Sequence, residues 1–433
     1  MSARSRSVSP AGSPLVARLS VPGDKSIAHR AVLFNAAASG RAVVRNLPDG
    51  ADVASTIRAV ESLGCRVVRT GGGEVSVEGC DFRFSAPSGP IDCGNSGTTM
   101  RLMMGLLAGQ PFRAVLDGDE SLRRRPMERV AKPLRAMGAS IDTSAGKAPV
   151  TVNGGGLRGA AHRLEVASAQ VKSALLLAGL QASGGTEIHE PSPTRDHSER
   201  MLRAMGVALD SRPGVVRLTG PARLRAIDVD VCGDASSSAF FVVAGCLVAG
   251  SALTVERVSL NPGRTGFVTV LKRMGARIDV VPRGESAGEP FGDISVRASN
   301  LSATAIARDE VPSCIDELPV LAVAAAAARG RTVIAGAEEL RVKESDRIAT
   351  VAAMLRELGV EVTETPDGMI IDGVGTGRRF RGARTIASAG DHRIAMAGGV
   401  AALMADGELT IDDAHAATIS FPRFFDMLEE ART

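Results

Sequence analysis

The chain has 433 residues, 44% hydrophobic and only 3% aromatic, with 48 glycines, no Trp or Tyr, and a formal net charge of +3. So balanced a charge, with no Trp or Tyr on which bases could stack, argues against a nucleic-acid partner, and the length allows two globular cores. No run reaches the roughly 18 apolar residues of a membrane span, and the six cysteines lack Cys-x-x-Cys or His spacing, as expected of reduced thiols in cores.

Residues 1–14 are rich in Ser, Arg and Pro without an apolar centre, so a disordered tail on a cytoplasmic protein is expected, not a secretory signal. Pro22 Gly23 Asp24 Lys25 Ser26 Ile27 Ala28 His29 Arg30 then opens an apolar helix. A helix start offers unpaired N–H groups and the positive end of the macrodipole, so Lys25, Ser26 and Arg30 add charge and hydroxyl where an anion is already favoured. The design recurs. Ala-rich apolar helices, each followed by a turn and a β-like run, are expected at 29–38, 98–108, 171–182, 236–249, 318–328 and 393–405. Their spacing, roughly 65 to 80 residues, is too long for a solenoid and implies six α/β units. A second helix in each unit ends at Gly64, Gly138, Gly206, Gly275 and Gly359, while the sixth, 421–431, lacks the Gly stop. Polar and Gly residues at Val231 Cys232 Gly233 Asp234 mark a domain change, leaving three units on each side and a cleft as the natural ligand site.

Unusual polar residues gather at the helix starts. The first-helix series gives Lys25, Ser26 and Arg30; Asn95, Ser96, Gly97, Thr98 and Arg101; Ser168, Gln170 and Lys172; Asp234, Ser236 and Ser237; Asp316 and Glu317; Asp391, His392 and Arg393. The second gives Arg125, then Arg195, Asp196 and His197, then Lys343, Glu344, Asp346 and Arg347. Ser236, Ser237, Asp196 and Asp52 read most simply as caps. Cations there oppose the dipole at about 0.3–1 kcal/mol each unless an anion is bound. In Arg123 Arg124 Arg125 the simple reading is a solvated face with one side chain turned inward. Asp316 and Glu344 are carboxylates inside this basic field, suited to proton transfer on a multiply anionic substrate, with a structural salt-bridge network as the alternative. No Gly-x-x-x-x-Gly-Lys phosphate loop is present.

Eight motifs, in order, carry a resemblance. They are Gly23 Asp24 Lys25 Ser26 to Arg30; Gly94 Asn95 Ser96 Gly97 Thr98 to Arg101; Arg125 Pro126 Met127; and Ser168 Ala169 Gln170 Val171 Lys172 Ser173. The rest are Asp316 Glu317 Leu318 Pro319; Arg341 Val342 Lys343 Glu344 Ser345 Asp346 Arg347; Asp391 His392 Arg393; and Ser420 Phe421 Pro422. Over about residues 15–430 the chain resembles the enolpyruvyl transferases. The resemblance implies an α/β fold of two domains, 15–22 plus 234–433 and 23–233, each of three βαβαββ units with parallel helices, and an active site in the interdomain cleft. It also implies attack of the 5-hydroxyl of shikimate 3-phosphate on C2 of phosphoenolpyruvate, protonation of C3, and loss of phosphate.

By motif position, Asp316 resembles the base and Glu344 the acid, with Lys25 touching both substrates. Shikimate 3-phosphate would be held by Lys25, Ser26, Arg30, Ser168, the Ala169 backbone, Gln170, Arg195, Asp316 and Lys343. Phosphoenolpyruvate would be held by Lys25, Gly97, Arg125, Gln170, Arg347 and Arg393. No metal or cofactor is expected, and the chain is expected to act on small molecules as a cytoplasmic monomer, without nucleic acid or membrane. Ile419 occupies the place where many members carry Lys, and Leu102 replaces a frequent Pro. Two rivals remain. The enolpyruvyl transferase acting on UDP-N-acetylglucosamine shares the fold but has Lys-Asn in place of Lys25 Ser26 and usually a loop Cys, which residues 117–126 lack. A six-repeat nucleic-acid clamp would spread basic residues over exposed helix faces.

Overall fold

A computed structural model of the chain describes residues 5–375 and 377–432. It divides into two compact units, one of Met1–Pro22, Gly233–Gly284 and Pro290–Thr433, the other of Gly23–Cys232 and Glu285–Glu289. The turn Glu285–Glu289, which the sequence reading leaves within 234–433, sits with the second unit because its polar groups are satisfied there. The amide of Asp230 donates to Ser286 Oγ at 3.0 Å, Arg200 Nη1 donates to the Gly288 carbonyl at 3.1 Å, and His197 Nδ1 lies 2.6 Å from Glu289 Oε1.

Three four-stranded sheets build the unit Gly23–Cys232, all with one topology. In one, Ile91–Asp92 runs parallel to Arg113–Asp117, which pairs antiparallel with Lys147–Asn153, itself antiparallel to Ser140–Ser144. The helix Gly97–Ala108 makes the parallel crossover, as a βαβ connection requires. Ala161–Arg163, Gly184–His189, Val215–Gly220 and Leu209–Arg212 repeat the pattern. In the remaining sheet Ser39–Arg45 receives its parallel partner, Val229–Asp230, from the far end of the unit.

The other unit has two such sheets, one of which takes Val16–Ser20 as the parallel partner of Ala252–Ser259. Its third sheet has three strands: Arg384–Ala387 parallel to Leu409–Asp412, which pairs antiparallel with Arg6–Val8. Residues 5–14 are therefore not the disordered tail expected, and residues 1–4 lie outside the described residues. The arm completes the sixth sheet by pairing with the edge of Leu409–Asp412 that Arg384–Ala387 leaves open. Arg6 pairs with Asp426 at 2.8 Å and stacks over the Phe425 ring, and the Ala11 amide donates to the Leu403 carbonyl at 3.0 Å.

Five of the six first-series helices begin at a side-chain cap. Asp24 accepts from the Ile27 amide at 3.0 Å, Ser96 from Thr99 at 3.1 Å, Ser168 from Val171 at 3.5 Å, Asp234 from Ser237 at 3.0 Å and Asp391 from Arg393 at 2.9 Å. The caps start these helices ahead of the apolar runs, so Lys25, Gly97, Ala169 and Arg393 fall in first turns. The exception, Leu318–Ala327, follows Glu317 with Pro319 in its first turn, and every residue in it is buried, as befits a helix apolar all round. Small residues allow close packing: a Cβ at Gly105 would lie 2.1 Å from the Ala174 carbonyl oxygen, so the helices Gly97–Ala108 and Ala169–Gly179 touch through backbone. Phe424 and Phe425 of the helix Phe424–Glu430 join Phe240, Phe241 and Phe421 in a cluster of edge-on and tilted rings with centroids 5.0–6.0 Å apart.

Candidate active site

Each unit collects its helix-start residues into a polar cluster of its own. In the unit Gly23–Cys232, Arg30 lies one turn into the helix Lys25–Ala37 and is 2% exposed. Its Nε donates to Ser198 Oγ, Nη1 to the Ser26 carbonyl and Nη2 to Ser173 Oγ, each at 2.8 Å. All three acceptors are neutral. Burial lowers this guanidinium to about 10, with nearby Arg195 acting the same way and Glu199, Asp24 and Glu289 opposing. It therefore remains charged at neutral pH, poorly hydrated and without a direct anionic partner. An arriving phosphate would supply one.

Around it the other helix starts converge. Lys25 Nζ pairs with Asp52 Oδ2 at 2.8 Å. Asp52 is not the cap expected from sequence, since Gly50 occupies that position and the carboxylate reaches across to the ammonium. Gln170 donates from Nε2 to Thr98 Oγ1 at 2.9 Å and accepts from Arg101, tying the starts of Gly97–Ala108 and Ala169–Gly179 together. Ser168 caps the latter helix, and the Ala169 carbonyl accepts from Ser173 Oγ at 2.7 Å. A Cβ on Gly97 would meet Arg101 Nη1 at 3.1 Å and Arg125 Nη1 at 3.3 Å, so two guanidiniums flank that bare backbone. Of the arginine run, Arg123 pairs with Asp117 and Arg124 with Glu120 on the surface, while Arg125 alone turns in, donating to Asn95 Oδ1 at 3.0 Å.

Lys172 belongs to the support. It is buried with Glu190 and Glu199 at 2.9 and 2.7 Å. Burial works against its charge, yet the two carboxylates raise the ammonium overall, while burial pushes Glu199 up. His29, on the same helix as Arg30, is buried and held neutral, lowered to about 3 mainly by desolvation. Its Nδ1 lies 2.6 Å from Thr56 Oγ1.

In the other unit the centre is Arg347, the first residue of Arg347–Glu357 and 1% exposed. Its Nη2 reaches Glu344 Oε2 at 2.6 Å, its Nε reaches Asp391 Oδ2 at 2.8 Å, and its Nη1 lies 3.5 Å from Asp316 Oδ1. Against the pull of burial, Asp391, Glu344 and Asp316 raise this guanidinium above its ordinary value. Arg393 donates from Nη1 to the Asp316 carbonyl at 3.1 Å, with Nε 3.9 Å from the carboxylate. Lys343 is lowered by desolvation, with Asp316 opposing. Asp316 and Glu344 keep 16% and 19% of their side chains exposed, enough for a substrate to reach both.

Sequence reasoning missed Arg264. It is 2% exposed, donates from Nη2 to Asp234 Oδ1 at 3.2 Å and Ser236 Oγ at 3.0 Å, and brings Nη1 within 3.7 Å of Asp316 Oδ2. Its position two residues before the helix Gly266–Arg273 matches that of Arg195 before His197–Ala204, which is the signal that could have found it. Ser236 is likewise no cap: Asp234 fills that role, and the hydroxyl donates to buried Glu317. Asp196 precedes its helix without a capping bond and pairs with Arg200 at 2.8 Å.

The family model described as EPSP synthase (3-phosphoshikimate 1-carboxyvinyltransferase) matches residues 10–428. A 3-phosphoshikimate 1-carboxyvinyltransferase of Acidithiobacillus ferrooxidans is 50% identical over 421 residues, covering 97% of this chain and 96% of that one. One of Bacillus cereus is 45% identical over 430 residues, covering 99% of each. Among solved structures, EPSP synthase from Acinetobacter baumannii matches with a TM-score of 0.89 at 43% identity, over 99% of this chain and 98% of that one. The enolpyruvyl transferase NikO from Streptomyces tendae, with a TM-score of 0.78 at 20% identity over 98% and 96%, is alike in fold.

Proposed function

The chain belongs to the EPSP synthase (3-phosphoshikimate 1-carboxyvinyltransferase) family, and from that premise we propose how its residues divide the reaction. The enzyme transfers the enolpyruvyl group of phosphoenolpyruvate to the 5-hydroxyl of shikimate 3-phosphate, a transferase step of the shikimate pathway towards aromatic amino acids. In the addition, Asp316 takes the proton of the 5-hydroxyl as its oxygen bonds to C2, and Glu344 delivers a proton to C3. In the elimination, the bond from C2 to the phosphate oxygen breaks, C3 returns a proton to Glu344, and inorganic phosphate leaves with the proton that Asp316 gives up, which restores both carboxyl groups. Lys25, Ser26, Arg30, Ser168, the Ala169 backbone, Gln170, Arg195, Asp316 and Lys343 hold shikimate 3-phosphate. Lys25, Gly97, Arg125, Gln170, Arg347 and Arg393 hold phosphoenolpyruvate.

The observation that carries this division is the reach of one guanidinium to both carboxylates: Arg347 lies 2.6 Å from Glu344 and 3.5 Å from Asp316. An anion taken up by Arg347 then arrives beside both proton carriers. Gly97 supports the other half, since its missing side chain leaves room against Arg101 and Arg125. The substrates are small, diffusible and highly charged, so the same proposal has the enzyme working as a cytoplasmic monomer.

Phosphate release tests the assignment. With phosphoenolpyruvate present, shikimate 3-phosphate supports turnover and UDP-N-acetylglucosamine does not. Turnover with the UDP-sugar alone would overturn it, and release with neither would return the protein to the binding proteins.

A further inference from the structure

Two cysteines meet at the C-terminal foot of the helix Lys25–Ala37. Cys65 follows the turn after the helix Ala51–Ser62, and Cys80 ends the strand Glu74–Cys80. The ladder sets Arg66 opposite Glu78, which places Cys65 diagonally across from Cys80. The two Sγ atoms are 3.9 Å apart. Both sulfurs also face the Ala36 carbonyl oxygen, Cys80 at 3.1 Å and Cys65 at 3.9 Å.

The backbone on either side is pinned. The Cys65 amide donates to Val60 O at 3.1 Å, and beyond Cys80 the amides of Asp81 and Phe82 donate to Ala38 O and Ala37 O at 2.9 and 3.1 Å. The sulfurs are thus held near contact, and closing them to the roughly 2.05 Å of a disulfide asks for side-chain rotation.

Access and reactivity favour this pair over the other thiols. Cys80 is partly exposed, whereas Cys93, Cys232, Cys246 and Cys314 are buried. The hydrogen bond from Cys65 holds the Cys80 thiol below its ordinary value against burial, while burial pushes Cys93 up and Cys246 to about 12. Neither sulfur takes part in the reaction described above.

We propose that Cys65 and Cys80 form a reversible dithiol–disulfide modification site whose oxidant is a hydroperoxide. The Cys80 thiolate attacks one oxygen of hydrogen peroxide, the O–O bond breaks, and the departing hydroxide takes up a proton to become water. Cys80 is left as a sulfenic acid. The Cys65 sulfur then attacks that of Cys80, the S–O bond breaks, and a second water leaves with the Cys65 proton. Two electrons pass from sulfur to peroxide: two thiols and one peroxide become one disulfide and two waters. A dithiol reductant reverses the bond by exchange.

The test treats the full chain with a small excess of hydrogen peroxide, quenches with catalase, then counts thiols after denaturation and maps peptides by mass. The expected result is a fall from six thiols to four, one crosslinked peptide joining Cys65 to Cys80, and full recovery with dithiothreitol. In Cys65→Ala the oxidation stops at a sulfenic acid on Cys80, trapped by dimedone, and in Cys80→Ala no thiol is lost. Six surviving thiols, overoxidation of Cys80 without the crosslink, or equal thiol loss in Cys80→Ala would overturn the proposal. The crosslink map of the unsubstituted chain decides the matter even if a variant fails to fold.

Discussion

Replacing Gly97 with Ala tests the phosphoenolpyruvate half of the site with one carbon atom. The new Cβ would stand 3.1 Å from Arg101 Nη1 and 3.3 Å from Arg125 Nη1, inside the roughly 3.5 Å at which heavy atoms normally rest. Both neighbours are ends of flexible side chains, so they yield by a few tenths of an ångström and the fold survives. Ala also favours the helix that begins there. A charge-assisted hydrogen bond contributes about 1.5–3 kcal/mol, and losing about half of one at Arg125 costs about 0.8–1.5 kcal/mol, roughly a fourfold to twelvefold change in affinity. Steady-state phosphate release with each substrate varied in turn should show KM for phosphoenolpyruvate raised about fourfold to twelvefold. KM for shikimate 3-phosphate should stay within about twofold, since Gly97 is assigned to the other substrate. Equal rises in both KM values, or none, would refute the placement of Gly97 and Arg125 against phosphoenolpyruvate.

Glu344→Gln keeps an acceptor for Arg347 but cannot carry a proton, so kcat should fall by about 100-fold or more while both KM values change little. A variant that turns over normally would remove Glu344 from the acid role. His29 gives a pH signature. Its folded value of about 3 lies below the ordinary 6.5 because burial penalises the cation, so the unfolded chain binds a proton there that the folded chain refuses. Stability present above about 6.5 is lost as pH falls towards about 3, some 2 kcal/mol of it by pH 5. Urea unfolding at pH 7 and pH 5 should show His29→Gln losing about 2 kcal/mol less than the unsubstituted chain; parallel losses in the two proteins would count against a neutral, desolvated His29.

The six repeats were legible because their determinants are local: an apolar run, and a cap such as Asp24, Ser96 or Asp391 a few residues ahead of it. So were the inward Arg125 and the joint placement of Asp316, Glu344, Arg347 and Arg393, all of which sit at helix starts. What stayed hidden depends on partners distant in sequence. Asp52 and Ser236 look like caps until Lys25 and Glu317 are brought beside them. Arg264 follows Asn261, Pro262 and Gly263, a plain turn signal, and only the approach of Asp234 and Asp316 gives it a role. Arg6–Val8 is three residues long and without periodicity, so its strand exists only because Leu409–Asp412 presents an open edge.

That last pairing has a consequence for synthesis. Arg6 lies opposite Ile411, so a partner for the arm does not exist until Leu409–Asp412 has been made. At about 5–20 residues per second the wait is roughly 20–80 s. Meanwhile most of the unit Gly23–Cys232 has left the ribosome as one continuous stretch and can begin to fold alone. Val8 and Leu15, both buried in the finished protein, are made before the unit Gly23–Cys232, and Val8 waits for Leu409 to pair with it. Assembly of the unit that holds the arm thus waits on the synthesis of Leu409–Asp412.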